Sequence, residues 1–426
     1  MKKFPLHSAI DSLLNRWILF VGFFLSLVLA AGCQSGADAP QSLLGPDNGD
    51  YVPVMPPKVS SAPAPEVSYP AQAWIDRTLN LSFYSDDQLR DIAASSLAAF
   101  QLRLLLSPEA QAPLAKIRSY NPEIVILGLL DMEAYYEGWN GAQHRERFPL
   151  GADLYDLLSH YTAYRTDGEV ATKWENAPMV NPWRSGMVYN RSLMLTQVDI
   201  IAHYANEYPA AIDGIFHDNV SINAYIWPQP DDPQTQQADF DRDGVGILDD
   251  PDDLAAWQDW QVAFLDELQE RFGEGFVQVA NGDRPLRRPD FTAHVAGVVL
   301  EDFPPTVWFY NYLESMDLIG KIEGEGWCTP RRGRSWSLLW DNNGRNPDYT
   351  RTASTLSGAF YALDETTSNW IANDPQAKVM GTLSGPLVRS TLSDGKTRFE
   401  RLTSAGQAWS EMTIFGFLDH FGFTAN

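Results

Sequence analysis

The sequence predicts a (β/α)8 TIM barrel, preceded by a signal peptide and a disordered linker. Three observations carry that expectation. From residue 71 onward, short apolar runs alternate with longer amphipathic stretches. Most of the runs are continuously apolar, as strands covered on both faces are. No Gly-rich dinucleotide fingerprint follows the first run, which disfavours the competing doubly wound open sheet.

The length of 426 residues suits one large domain or two smaller ones, and 44% hydrophobic with 12% aromatic residues is ample for a packed core. The formal charge of −24 argues against a nucleic-acid partner, since nothing on this scale would neutralise phosphates. Solubility, or a salty habitat, is the plain reading of the acidity.

Residues 1–32 read as a lipoprotein signal peptide. Lys2, Lys3 and Arg16 precede the apolar run 17-WILFVGFFLSLVLAAGC-33. The ending 29-LAAGC-33 resembles a bacterial lipoprotein box, with Ala30 where Leu is usual. The resemblance implies cleavage before Cys33, lipid on Cys33, and a place in the bacterial cell envelope. Gln34 at the next position suits the outer membrane, and an ordinary cleaved signal is the alternative. Cys328 is then the one free thiol and has no partner for an internal disulfide. Residues 33–70 are rich in Pro, Ala and Ser and show no periodicity, so they read as a flexible tether. Residues 71–426 are the expected barrel domain, with an acidic insertion at 228–252.

The expected strands are 100–106, 123–130, 186–190, 211–216, 276–281, 297–303 and 336–340, with a weak eighth at 377–383. Helical patterns fall between them. Pro108 and Glu109 open one that ends at Asn121-Pro122, and Ser192 opens another that runs to 208. A long amphipathic stretch over 253–273 ends at Gly273. The stretch 351–371 reads as a further helix.

Chemistry in such a barrel sits at the C-terminal ends of the strands. Nearly every run is followed by a carboxylate or amide: 131-DMEAYYEGWN-140, Asn190, 217-HDN-219, 281-NGDR-284, Glu301-Asp302 and 341-DNN-343. Asp218 and Glu301 end two buried runs, two places apart around the barrel. A facing pair of carboxylates is what glycosidic cleavage requires, one to protonate the leaving oxygen and one to attack carbon or activate water. Asp302 competes with Glu301 for this role, and Asp131, Glu133, Asp283 and Asp341 stay open as the second carboxylate. Asn190, His217, Asn219, Asn281, Asp302 and Asp341 are candidate substrate contacts. So are Trp139, Trp308 and Trp340, because sugar rings stack their C–H faces on indoles. Trp183, Trp227, Trp327 and Trp336 lie in or beside similar loops.

The strand 211-AIDGIFHDNV-220 resembles the D-G-I-F-x-D segment of bacterial TIM-barrel glycoside hydrolases. These include hypothetical glycosyl hydrolase family 15 and the endo-α-1,4-polygalactosaminidase-like barrels. The segments 165-RTDGEVATKW-174, 187-MVYNRS-192, 276-FVQVANG-282 and 297-GVVLEDF-303 resemble further pieces of these families in their order along the chain. The likeness covers roughly residues 95–345. It implies a barrel, a polysaccharide substrate, and Asp218 with Glu301 as the catalytic pair. His217 departs from the usual apolar residue, and 384–402 fits the family's ending poorly.

The loop 239-DFDRDGVGILDD-250 resembles the calcium loops of dockerins and thrombospondin-type repeats. Asp239, Asp241 and Asp243 occupy positions one, three and five, Gly244 permits the turn, and Asp250 stands at twelve. Val245 offers a backbone carbonyl. A structural Ca2+ is expected here. No H-x-H or H-E-x-x-H spacing supports a catalytic zinc, and no G-x-S-x-G elbow is present. The expected protein is a monomeric, lipid-anchored glycosidase. The alternative is a carbohydrate-binding surface lipoprotein on a barrel without catalysis, and another hydrolase on the same scaffold is a third reading.

Overall fold

A computed structural model describes residues 51–77, 80–224, 237–303, 311–341, 346–365, 369–370 and 379–425. The expected signal peptide, Cys33, Trp227, Trp308 and residues 228–236 of the acidic insertion lie outside them.

Eight parallel strands close on themselves. In chain order they are β1 (Ala71–Asp76), β2 (Leu97–Gln101), β3 (Val125–Asp131), β4 (Gly214–Asp218), β5 (Val277–Asn281), β6 (Gly297–Glu301), β7 (Leu338–Asp341) and β8 (Phe360–Glu365). Each pairs with the next, and β8 pairs with β1 through Ala71↔Phe360 and Gln72↔Tyr361. This is the (β/α)8 barrel that the apolar runs predict.

Helices cover the outside. They are α1 (Asp86–Ala94), α2 (Gln111–Tyr120), α3 (Pro149–Leu158), α4 (Arg191–Glu207), α5 (Pro251–Phe272), α6 (Tyr312–Gly324) and α7 (Pro347–Ser357). Local chemistry sets their ends. Ser85 and Gln88 form a capping box on α1, and Asn190 accepts from Leu193 N to start α4. Asp250 accepts from Asp252 N and Asp253 N, with Pro251 in the first turn, to start α5. Gly358, at φ 77°, ends α7 in a left-handed turn that a side chain would strain.

Strand alternation sorts side chains into two cores. The barrel interior holds Ile75, Ala99, Leu129, Phe216, Val279, Val299, Trp340 and Ala362 among others. A larger core between strands and helices holds Ile126, Ile215, Ala280, Leu300, Trp257, Trp260 and Phe264.

Several expectations shift. The second strand is 97–101 rather than 100–106, because residues 102–105 turn into a short helix. The run 186–190 is a loop. Residues 379–383 make only isolated bridges, Tyr69↔Gly381 and Leu383↔Thr403. The strands expected there are supplied by β1 and β8. The predicted helix 351–371 stops at Ser357 and its second half begins with β8.

Two segments outside the barrel also differ from expectation. Residues 51–64 do not hang free: Val59 N bonds Phe272 O at 2.9 Å and Ala64 N bonds Arg332 O at 2.8 Å. Residues 388–425 form a four-stranded antiparallel sheet, β9 (Val388–Thr391), β10 (Thr397–Thr403), β11 (Gly406–Met412) and β12 (Leu418–Ala425). It packs on α7, where Tyr349 meets Phe421 edge-on at 5.5 Å. Arg401 Nη1 also donates to Leu356 O at 3.0 Å.

Candidate active site

The last inward-facing position of consecutive strands builds the site. Continuing the alternation of the barrel interior upward places Arg77, Gln101, Asp131, Asp218, Asn281 and Glu301 in one layer at the C-terminal mouth. All six line a cavity of about 780 Å³, with Arg103, Tyr136, Trp139, Lys173, Trp174, Asn219, Gly282 and Arg287 around its walls. Below the layer, the interior is apolar, so these polar groups have no other place to point.

One amide joins the two predicted catalytic residues. Asn281 Nδ2 donates to Asp218 Oδ1 at 2.9 Å and to Glu301 Oε2 at 2.8 Å. Those two oxygens therefore lie no more than 5.7 Å apart, the sum of the two bonds. The two N–H bonds of an amide diverge by roughly 120°, which sets the separation at ~5 Å. Gly282 follows at φ 138°, and a Cβ there would lie 2.2 Å from Val220 O, so only glycine lets the chain turn away beside Asn281.

The carboxylates differ in their surroundings. Asp218 also accepts from Asn219 N at 3.0 Å. Glu301 faces Arg77, with Nη1 3.6 Å from Oε1, and the Arg77 guanidinium lies 4.4 Å above the Trp340 ring. Burial pushes the Glu301 carboxyl above its usual range, and the charge of Asp218 adds to this; Asn281 and Arg77 pull back. Asp131 is the third carboxylate. Burial, then the charges of Asp218 and Glu133, push it up to about 7. Four donors surround it: Glu133 N and Ala134 N on Oδ1, Asn219 Nδ2 and Tyr136 OH on Oδ2. Asn219 reaches it from a left-handed backbone at φ 58°.

The other predicted contacts divide between cavity and elsewhere. Trp139 lines the cavity, tilted against Tyr136 at 5.2 Å with Arg103 5.2 Å from its ring. His217 does not reach the cavity. It is the outward neighbour of Asp218, buried against Phe264, with Nε2 3.0 Å from Gln278 Oε1, and burial holds its pKa down at about 4. Trp340 points into the barrel interior beneath the site and is fully buried, as is Trp336. Asp341, the next residue, points outward and accepts from Asn346 N at 3.2 Å below α7. Asn190 is the cap of α4, and Asp302, at φ 59°, lies outside the cavity lining. Trp183 is half-buried against the outer core, and Trp327 bonds Glu325.

Nothing in the sequence singles out Arg77, Arg103, Tyr136, Lys173 or Trp174. Arg77 follows β1, which no continuous apolar run marks. Lys173 and Trp174 lie on a short ribbon, Thr172–Trp174 against Ala177–Pro178, inside the β3–β4 connection. The acidic loop brings Asp239, Asp241 and Asp253 into one group and Asp241, Asp243 and Asp250 into another. Val245 N donates to Asp243 at 2.7 Å.

No family model matches the chain, and no curated protein matches it. Among solved structures it is similar to an alpha-amylase from Lactobacillus plantarum, at 7% identity and TM-score 0.42, covering 80% of this chain and 88% of that one. A family GH13_31 enzyme is similar at 10% identity and TM-score 0.41, covering 81% and 92%. An alpha-amylase from H. orenii is similar at 8% identity and TM-score 0.39, covering 80% and 89%.

Proposed function

We propose that the chain is a glycoside hydrolase that cleaves a polysaccharide by double displacement. Asp218 is the nucleophile and Glu301 the acid and base. The observation that carries this reading is the single nitrogen, Asn281 Nδ2, bonded to both carboxylates. Retaining glycosidases hold their pair ~5–5.5 Å apart, and inverting ones ~6.5–9.5 Å to admit a water. The shared donor favours the shorter spacing.

The roles follow from the surroundings. Asp218 accepts two hydrogen bonds that hold its carboxyl group in place at the cavity, as a nucleophile requires. Glu301, with its raised pKa, keeps a proton to give. Asp131 also has a raised pKa, but its four donors occupy both oxygens, so it positions Asn219 and Tyr136 and does not meet substrate. In the first step, Asp218 bonds to the anomeric carbon as the glycosidic C–O bond breaks and Glu301 protonates the leaving oxygen. In the second, Glu301 takes a proton from water, which attacks the same carbon and releases Asp218. Trp139, Trp174 and Tyr136 offer stacking faces for sugar rings. The resemblance of 211–220 and 297–303 to bacterial barrel glycosidases points the same way. Lipid on Cys33, after cleavage of residues 1–32, would attach this enzyme to the cell envelope as a lipoprotein.

The test is a polysaccharide panel assayed with the wild type, Asp218→Asn and Glu301→Gln. Release of sugar with retained anomeric configuration, lost in both variants while the melting temperature holds, is the expected result. Inverted product would remove the double displacement. Glycan binding without product, equal in all three proteins, would replace the enzyme with a carbohydrate-binding protein.

A further inference from the structure

The acidic loop contains more than its repeat pattern foretells. Asp239 enters on a short strand paired with Tyr164–Arg165, and Asp253 enters from the first turn of α5. One carboxylate oxygen from each of Asp239, Asp253 and Asp241 lies within 4.8 Å of the other two. Asp253 is fully buried and Asp239 is 4% exposed. One oxygen of each has a donor: Gly244 N reaches Asp239 Oδ2 at 3.0 Å, and Phe240 N reaches Asp253 Oδ2 at 2.6 Å. The remaining oxygens, Asp239 Oδ1 and Asp253 Oδ1, are buried with no hydrogen-bond partner.

Such a pair is costly. A buried carboxylate oxygen without a donor forfeits its hydration, and a second like charge beside it adds repulsion. No Lys or Arg forms an ion pair with any of these aspartates among the described residues, and the nearby Arg242 guanidinium is stacked 3.8 Å over Tyr164. A cation between the orphaned oxygens removes both costs.

We propose that Asp239, Asp241 and Asp253 bind a calcium ion, with Asp243 and Asp250 completing the acidic rim. Asp253 lies beyond the twelve-residue loop, and it closes the site from the buried side. The donors are oxygens only, with no nitrogen or sulfur, which selects a hard cation. A loop of alternating carboxylates supplies the larger, less regular shell of Ca2+ rather than the strict octahedron of Mg2+.

The site has a reach. Trp257 Nε1 and Gln261 Nε2, one and two turns along α5 from Asp253, donate to Ser221 O at 3.1 and 3.2 Å. Ser221 N in turn donates to Glu133. An ion at Asp253 thus fixes the start of the helix that holds the chain just after Asp218.

The test uses the full chain dialysed against EGTA, with calcium chloride or magnesium chloride added back during thermal unfolding and titration calorimetry. Calcium at about 100 times its Kd should raise the melting temperature by roughly 3–4 °C, and magnesium at the same concentration should raise it less. Asp253→Asn and Asp241→Asn should each weaken calcium binding by ~10-fold or more. If Asp253→Asn does not fold, Asp241→Asn, whose side chain is only half-buried, decides alone. A wild type that calcium does not shift, or variants that bind calcium as the wild type does, would overturn the site. An equal response to magnesium would overturn the choice of ion.

Discussion

Lys173 Nζ lies 2.6 Å from Glu133 Oε2, and both side chains are buried, at 8% and 0% exposed. Burial pushes the Glu133 carboxyl up, and Lys173 pulls it back. The other oxygen of Glu133 accepts from Ser221 N at 2.5 Å, so this pair ties the ribbon over the cavity to the chain beyond Asp218. Removing one partner of a buried pair leaves an uncompensated charge. Lys173→Met should therefore cost about 3–5 kcal/mol, while Lys173→Met with Glu133→Gln should recover part of the loss. Denaturation curves of the three proteins check this. Strictly additive losses would mean that the two residues act independently.

Asn281 governs the proton of Glu301 on the proposed reading. Its amide donates to Glu301 and pulls the raised pKa of that carboxyl back down. Asn281→Ala removes the donor, and the Glu301 pKa rises. Activity needs Glu301 protonated, so Glu301 sets the alkaline limb of the pH profile. That limb should move to higher pH, and kcat should fall by ~10²–10³-fold, as for loss of one preorganised donor. A profile with an unmoved alkaline limb would show that Asn281 does not control this proton.

Much of the barrel was legible because strands sandwiched between two cores read as unbroken apolar runs, as in 123–130, 276–281 and 297–301. The first and last strands were not. The segment 71-AQAWID-76 follows a proline-rich stretch and is interrupted by Gln72, so no continuous apolar run marks it as a strand. The segment 360-FYALDE-365 continues a helical pattern past Gly358, and only the positive φ there separates helix from strand. Two expected strands, 186–190 and the described residues 379–383 of the weak eighth, are not barrel strands. Even so, Asp218, Asn281 and Glu301 stand at the ends of β4, β5 and β6 and line one cavity, because a strand end can be recognised without its neighbours.

Period-two alternation explains which contacts failed. Asp218 faces inward, so His217 must face the helices, where Phe264 and Gln278 enclose it. Likewise Trp340 faces inward and Asp341 outward. Counting outward from Phe216 and Leu338 would have separated these pairs from the sequence alone. Asp131, one of the alternative second carboxylates, ends β3 beside Asp218. Arg77 had no such handle, since its strand was unread.

The tether is the correction with the most practical weight. A composition rich in Pro and Ala argues for a free chain, yet residues 51–59 clasp the C-terminal end of α5. Arg271 is 1% exposed and pairs with Asp199 at 2.5 Å and Glu267 at 2.6 Å. It also donates to Val54 O at 2.9 Å and Tyr51 OH at 2.5 Å. Tyr51 OH donates to Asp199 Oδ2 at 2.8 Å, and Val54 N to Oδ1 at 3.0 Å. Lys58 Nζ caps the helix by donating to the carbonyls of Glu270 and Arg271 at 2.6 and 2.8 Å. A protein that begins at residue 71 exposes Arg271 and strips these donors and acceptors from the helix end. It should be less stable than one that begins at residue 42 by several kcal/mol, since each lost bond to a charged group is worth about 1.5–3 kcal/mol before solvent repays part of it. Tyr51→Phe within the longer protein should cost about 1 kcal/mol, because one hydroxyl is lost while the ring stays packed. Equal melting temperatures for the two lengths would return residues 51–70 to the role of a free tether.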